Sequence, residues 1–130
     1  MKKIIIRCYF RHQIFKRTKW VSRLKQLTVC PDSCFNDDLK NKRKGRYLLA
    51  WSEGQIIGWA LLSRRSDDAY QIGVYVDPKH RRQGIGTKLV RRAKQIARRY
   101  QKKIAGDHWN RSARQFFTDN NLSHRWYELE

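Results

Sequence analysis

The chain has 130 residues, with 30 Lys and Arg against 11 Asp and Glu for a net charge of +19. That length suits one hydrophobic core rather than two, and no apolar run is long enough to cross a bilayer. Ordinary solubility asks for only about 2–8 net charges on a small domain, so this excess speaks for a polyanionic partner, nucleic acid or nucleoprotein, and against small cationic ligands.

The start "MKKIIIRCYFRH" is basic, but its apolar stretch ends at Arg7, too soon for a signal peptide. A cytoplasmic protein made of one domain, residues 1–130, is expected. "KKIIIRCYF" reads as a strand. Over residues 12–28, Ile14, Phe15, Val21, Leu24 and Leu27 recur near helical spacing and predict one helix with a basic opposite face. "CPDSCFNDDLKNKRKG" is loop-like. Its Cys30 and Cys34, with Cys8, lack the second ligand pair that zinc sites show, so no metal is expected.

"RYLLAW" and "QIIGWALLSRR" flank "SEG" as a hairpin would. "SDD" turns the chain into the strand "AYQIGVYV", where Gly73 hints at a bulge or a close backbone approach. Downstream, Ile85, Leu89, Ala93, Ile96 and Tyr100 form a helical stripe with Val90 and Ala97 beside it. This helix, expected to run to Lys103, carries Lys88, Arg91, Arg92, Lys94, Arg98, Arg99, Lys102 and Lys103, and the first helix adds Arg11, Lys16, Arg17, Lys19, Arg23 and Lys25, many of them solvent-facing. "KKIAGDHW" predicts a strand, "SARQFFTDN" a short helix and "SHRWYELE" a final strand. The order implies an α/β (α+β) domain with a mixed sheet flanked by helices.

Between the strand ending at Val76 and the long helix lies "VYVDPKHRRQGIGTKLV". A glycine turn feeding a helix N-terminus offers unpaired N–H groups and the positive end of the helix dipole, which suits phosphate or pyrophosphate. It is not the dinucleotide fingerprint, whose third glycine would fall at Leu89, nor a P-loop, which has four residues between its glycines where one stands here.

The stretch resembles the acetyl-coenzyme A (acetyl-CoA) signature of the GCN5-related N-acetyltransferase (GNAT) superfamily, with Arg81, Gly84 and Gly86 at its key positions after a Val-x-Val strand and an Asp-Pro turn. "NRSARQFFTDNNL" is similar to the family's Asn, Ala and paired aromatics at the same spacing. The resemblance implies that Gln83, Gly84, Ile85, Gly86 and Thr87 donate backbone N–H groups to the coenzyme pyrophosphate, with Arg81 and Arg82 adding charge. It implies that Val74, Tyr75 and Val76 flank the pantetheine arm, with Asn110 and Phe117 near the coenzyme.

Phe117 stands where the family usually has the Tyr that protonates the leaving thiolate, and a phenyl ring has no proton to give. Asp107, His108 and Tyr75 are the candidate catalytic residues in its place, with Tyr70 and Ser112 as further donors; strand alternation lets only one of Asp107 and His108 face the cleft. The expected activity is acetyl transfer to a primary amine on charged tRNA, a modified base or a protein in a nucleoprotein complex. A catalytically weakened nucleic-acid-binding module, with Trp20, Trp51, Trp59, Trp109 or Trp126 stacking on bases, and a protein N-terminal or lysine acetyltransferase stay open. A small cationic acceptor would need a local acidic patch, from Asp32, Asp37 and Asp38 or from Asp67 and Asp68.

Overall fold

The computed structural model describes residues 3–28, 45–106 and 111–122, with backbone alone for 111–114. The elements are β1 (Ile5–Phe10), α1 (Arg11–Phe15), α2 (Thr18–Leu27), β2 (Gly45–Ser52), β3 (Gln55–Ser66), β4 (Ala69–Val76), a 3-10 turn (Pro78–His80), α3 (Ile85–Arg99), β5 (Lys103–Gly106) and α4 (Arg111–Asp119).

The strands form one sheet in the order β1-β2-β3-β4-β5. Each neighbour pair is antiparallel except β4 and β5, which run parallel with Ala69 opposite Lys103 and Ile72 opposite Gly106. The helical crossover through α3 is what a parallel pair requires. β3 is the sheet's centre, and its side chains are buried from Ile56 to Ser63, the continuous apolar run of a strand covered on both faces.

Two cores lie on opposite faces of the sheet. On one, Leu48, Ala60, Leu62, Tyr70 and Ile72 meet Ile85, Leu89, Val90, Ala93, Ile96 and Ala97 of α3 and Phe117 of α4. On the other, Tyr47, Leu49, Trp59, Leu61 and Tyr75 meet Ile14, Leu24 and Leu27 of α1 and α2. Trp59 is fully buried between Tyr47 and Tyr75, stacked at 5.8 and 5.1 Å between ring centroids. Trp59 is therefore core and not a base-stacking surface, and the half-buried Trp20 and Trp51 meet edge to face at 5.1 Å. Trp109 and Trp126 lie outside the described residues.

The single helix expected over residues 12–28 is two helices, broken where Arg17 takes extended φ −113, ψ 92. At 100° per residue, an unbroken helix would set Ile14 about 80° around the axis from Leu24 and about 140° from Leu27. The break lets all three point into one core. The Glu53–Gly54 turn, with φ of 52° and 76° at its two residues, is the type that matches strand twist in a hairpin.

Three other expectations need correction. Gly73 stays in register opposite Leu61 and carries no bulge, but a Cβ there would sit 2.7 Å from the Tyr75 hydroxyl, so close approach is its reason. α3 ends at Arg99, placing Lys102 in the following link and Lys103 in β5. Tyr100 caps the helix and is 45 % exposed, outside the buried stripe, with the Arg46 guanidinium 4.7 Å from its ring centroid. The expected final strand, "SHRWYELE", lies outside the described residues.

Among the described residues no helix is long and apolar enough to cross a membrane, and no cluster of three His, Cys, Asp or Glu could hold a metal ion.

Candidate active site

β4 ends at Val76, and Asp77 turns the chain. The Asp77 N–H donates to the Ile57 carbonyl at 2.9 Å, the His80 N–H donates back to the Asp77 carbonyl at 2.8 Å, and Asp77 Oδ1 accepts the Lys79 N–H at 2.9 Å. A carboxylate capping the turn just ahead of a proline makes a rigid corner. Beyond it, Arg81, Arg82, Gln83 and Gly84 are all exposed.

Gly84 sits at the N-cap of α3 with φ 74, ψ 14, a left-handed conformation that glycine takes without strain. Nothing lies within 4 Å of where its Cβ would be, so the space before the helix is open to a ligand. The Gly84 carbonyl accepts the Lys88 N–H at 3.0 Å. The N–H groups of Ile85, Gly86 and Thr87 precede that bond and have no carbonyl one turn back in the helix. The first turn of α3 holds no acidic residue to neutralise the positive end. Open space, free donors and adjacent Arg81 and Arg82 fit a pyrophosphate.

The helix start is pressed onto the sheet. A Cβ on Gly58 of β3 would lie 3.2 Å from the Ile85 side chain and 3.5 Å from that of Val76; one on Gly86 would lie 3.0 Å from the Phe116 ring and 3.8 Å from the Val74 side chain. Val74, Val76, Ile85 and Gly86 are thus brought together, and Thr87 follows half-buried. β5 pairs only with residues 69–72 of β4. Among the described residues, residues 73–76 pair with β3.

Of the paired aromatics, Phe116 touches the glycine loop, while Phe117 is 2 % exposed and lies on Gly106 of β5. Tyr75, 6 % exposed, belongs to the core on the opposite face from α3, and Tyr70 is buried in the α3 core. Asp107, His108 and Asn110 lie outside the described residues, as do Asp32, Asp37 and Asp38. The side chain of Ser112 is likewise outside them. Asp67 pairs with Arg64 at 2.6 Å, and Asp68 accepts from Ser66 at 2.8 Å.

Sequence reasoning missed Phe116, Gly58 and Arg23. Arg23, on the basic face expected for the first helix, donates from Nε to the Ile56 carbonyl at 2.9 Å and from Nη2 to Asp77 Oδ2 at 2.7 Å. The Lys79 N–H and then the Arg23 guanidinium hold the Asp77 carboxyl below the ordinary carboxylate range. No spacing rule pairs residues 54 positions apart, so no sequence signal marked the contact.

Residues 10–121 match the Acetyltransferase (GNAT) family. The chain belongs to that family. Its fold is similar to aminoglycoside N-acetyltransferase AAC(6')-Iy in complex with CoA, at 17 % identity and a TM-score of 0.71 over 95 % of this chain and 90 % of that one. A GNAT acetyltransferase from Elizabethkingia anophelis with acetyl-CoA bound gives 20 % and 0.64 over 91 % and 73 %. A ribosomal-protein-alanine N-acetyltransferase from Brucella melitensis biovar Abortus 2308 gives 16 % and 0.63 over 95 % and 94 %. At such identities the likeness is one of GNAT fold. No curated protein matches the sequence.

Proposed function

We propose that this GNAT protein transfers an acetyl group from acetyl-CoA to a primary amine on a nucleic-acid-associated acceptor: charged tRNA, a modified base or a protein in a nucleoprotein complex. The observation that carries the coenzyme half is the left-handed Gly84, with open space before it, at the head of a helix whose first N–H groups lack helical partners. Acetyl-CoA supplies an acyl group already activated as a thioester.

The chain's own part is positioning and charge. The N–H groups of Gln83, Gly84, Ile85, Gly86 and Thr87 bind the pyrophosphate, and Arg81 and Arg82 add attraction for the remaining phosphate. The backbone of Val74 and Val76 aligns the arm, with Asn110 near it and Phe116 walling the loop. Such positioning and backbone electrostatics can supply most of the rate gain. Phe117 has no proton to donate and is sealed in the core. Tyr75 is buried in the aromatic stack. Asp107 or His108 is therefore assigned the proton of the attacking amine.

The acceptor half rests on charge that the coenzyme does not use. Lys88, Arg91 and Arg98 are exposed on α3 at i, i+3 and i+10, one side of the helix. Incubation with isotope-labelled acetyl-CoA and total cellular RNA and ribonucleoprotein, followed by mass spectrometry, tests it. Label on RNA-linked or ribonucleoprotein amines is expected. Label confined to free small amines would overturn the acceptor class. No transfer to any amine would favour a catalytically weakened binding module, the reading that Phe117 at the family's Tyr position supports.

A further inference from the structure

Three segments distant in sequence meet at Arg23. The residue belongs to α2, which packs on the face of Tyr47, Trp59 and Tyr75, whereas the glycine loop leads into α3 on the other face. Its side chain reaches the end of the sheet, where Nε donates to the Ile56 carbonyl at 2.9 Å and Nη2 to Asp77 Oδ2 at 2.7 Å. The next carbonyl of β3, on Ile57, accepts the Asp77 N–H at 2.9 Å, and the second carboxylate oxygen of Asp77 accepts the Lys79 N–H at 2.9 Å. Backbone, carboxylate and guanidinium thus fix one corner from three directions. From there the 3-10 turn leads directly into Arg81.

The chemistry calls for arginine. A planar fork can place one donor on a carbonyl and another on a carboxylate at the same time, which the single ammonium of lysine cannot reproduce. The pair is partly shielded, at 31 % and 14 % side-chain exposure, so it is less screened than a surface ion pair.

We infer that Arg23 is a positioning residue for the coenzyme loop, holding Asp77 from the far face of the sheet so that residues 81–87 present their N–H groups at a fixed distance from β4. The inference rests on the acetyl-CoA reading above. It makes the loop's geometry depend on a helix on the opposite face of the sheet, through a contact that the loop's own sequence does not reveal.

The test compares coenzyme A with pantetheine, which lacks the pyrophosphate, by their dissociation constants for the wild type, Arg23→Gln, Arg23→Lys, Asp77→Asn and the Arg23→Gln/Asp77→Asn double variant. Asp77→Asn keeps an amide oxygen for the Lys79 N–H and loses the carboxylate that Arg23 grips, so it serves where Arg23→Gln does not fold. Each single variant, Arg23→Lys included, is expected to weaken coenzyme A binding by roughly 10- to 100-fold and leave pantetheine binding unchanged. The double variant is expected to be no weaker than the singles, because the two residues act as one unit. Equal losses for both ligands, or a lower melting temperature with unchanged coenzyme A affinity, would reduce Arg23 to a structural role and overturn the inference. A wild type that binds no coenzyme A would fail earlier, at the coenzyme reading itself.

Discussion

The Phe117 ring occupies the space a side chain at residue 106 would need: a Cβ on Gly106 would stand 2.4 Å from two of its ring carbons. Gly106→Ala should therefore lower stability by about 1–3 kcal/mol, the usual cost of overpacking, and Phe117→Leu in the same chain should recover part of the loss in a thermal melt. Additive losses would show that the ring is not the obstacle. The same burial bears on catalysis. With the proton work assigned to Asp107 or His108, Phe117→Tyr should leave kcat unchanged. Asp107→Asn or His108→Gln should lower kcat by about 10²–10⁴-fold and flatten its pH profile. A higher kcat in Phe117→Tyr would return the missing acid to position 117. Asp77 gives a third expectation at this scale. Its folded pKa is lowered, first by the Lys79 N–H and then by Arg23, so the stability it contributes is present above the unfolded value of about 3.9. That contribution is lost as pH falls through the lower folded value. The melting-temperature gap between the wild type and Asp77→Asn should hold at neutral pH and close below about pH 4. A gap that persists at low pH would mean that the carboxylate charge is not what matters.

Among the elements, α3 was readable because its period is long and clean: six of the seven residues of the expected apolar stripe and its flank are buried. Its end was not readable, since Lys102 and Lys103 are as compatible with a helix as with the link and strand they form. The α1–α2 break was hidden for the opposite reason. Both helices obey the same period, and only the need to aim Ile14, Leu24 and Leu27 at one core reveals that the phase is reset at Arg17. Burial also sorts the charges. Lys94 donates to the Asn120 carbonyl, Arg11 and Arg17 lie over the rings of Phe15 and Trp20, and Arg23 is clamped on Asp77. Lys88, Arg91, Arg98 and Arg99 remain exposed. Reversing Arg91, Arg98 and Arg99 to Glu should weaken RNA binding, with coenzyme affinity intact. Wild-type binding should fall by about 0.7–0.9 log units per contacted phosphate for each log unit of salt. Filter binding that shows no association even at low salt would remove the polyanionic partner.

For the whole molecule, the sequence carries the layer order and the coenzyme loop because both are local: alternation for strands, a 3.6-residue period for helices and a short glycine turn between them. The contacts that make the loop a site are not local. Gly58 accommodates Ile85 and Phe116 reaches Gly86 on the α3 face, and Arg23 grips Asp77 from the α2 face. None of these pairings has a sequence spacing that would announce it. The +19 charge acts at this scale as well, as a field over the whole surface that attracts anions. The central claim is that this loop holds acetyl-CoA. Calorimetric titration of acetyl-CoA into the wild type and into Gly84→Glu, both shown to be folded beforehand, tests it most directly. The expected result is saturable one-to-one binding to the wild type and none to the variant, whose side chain blocks the open space and repels phosphate. Absence of binding to the wild type, or equal affinity in the two proteins, would contradict the account.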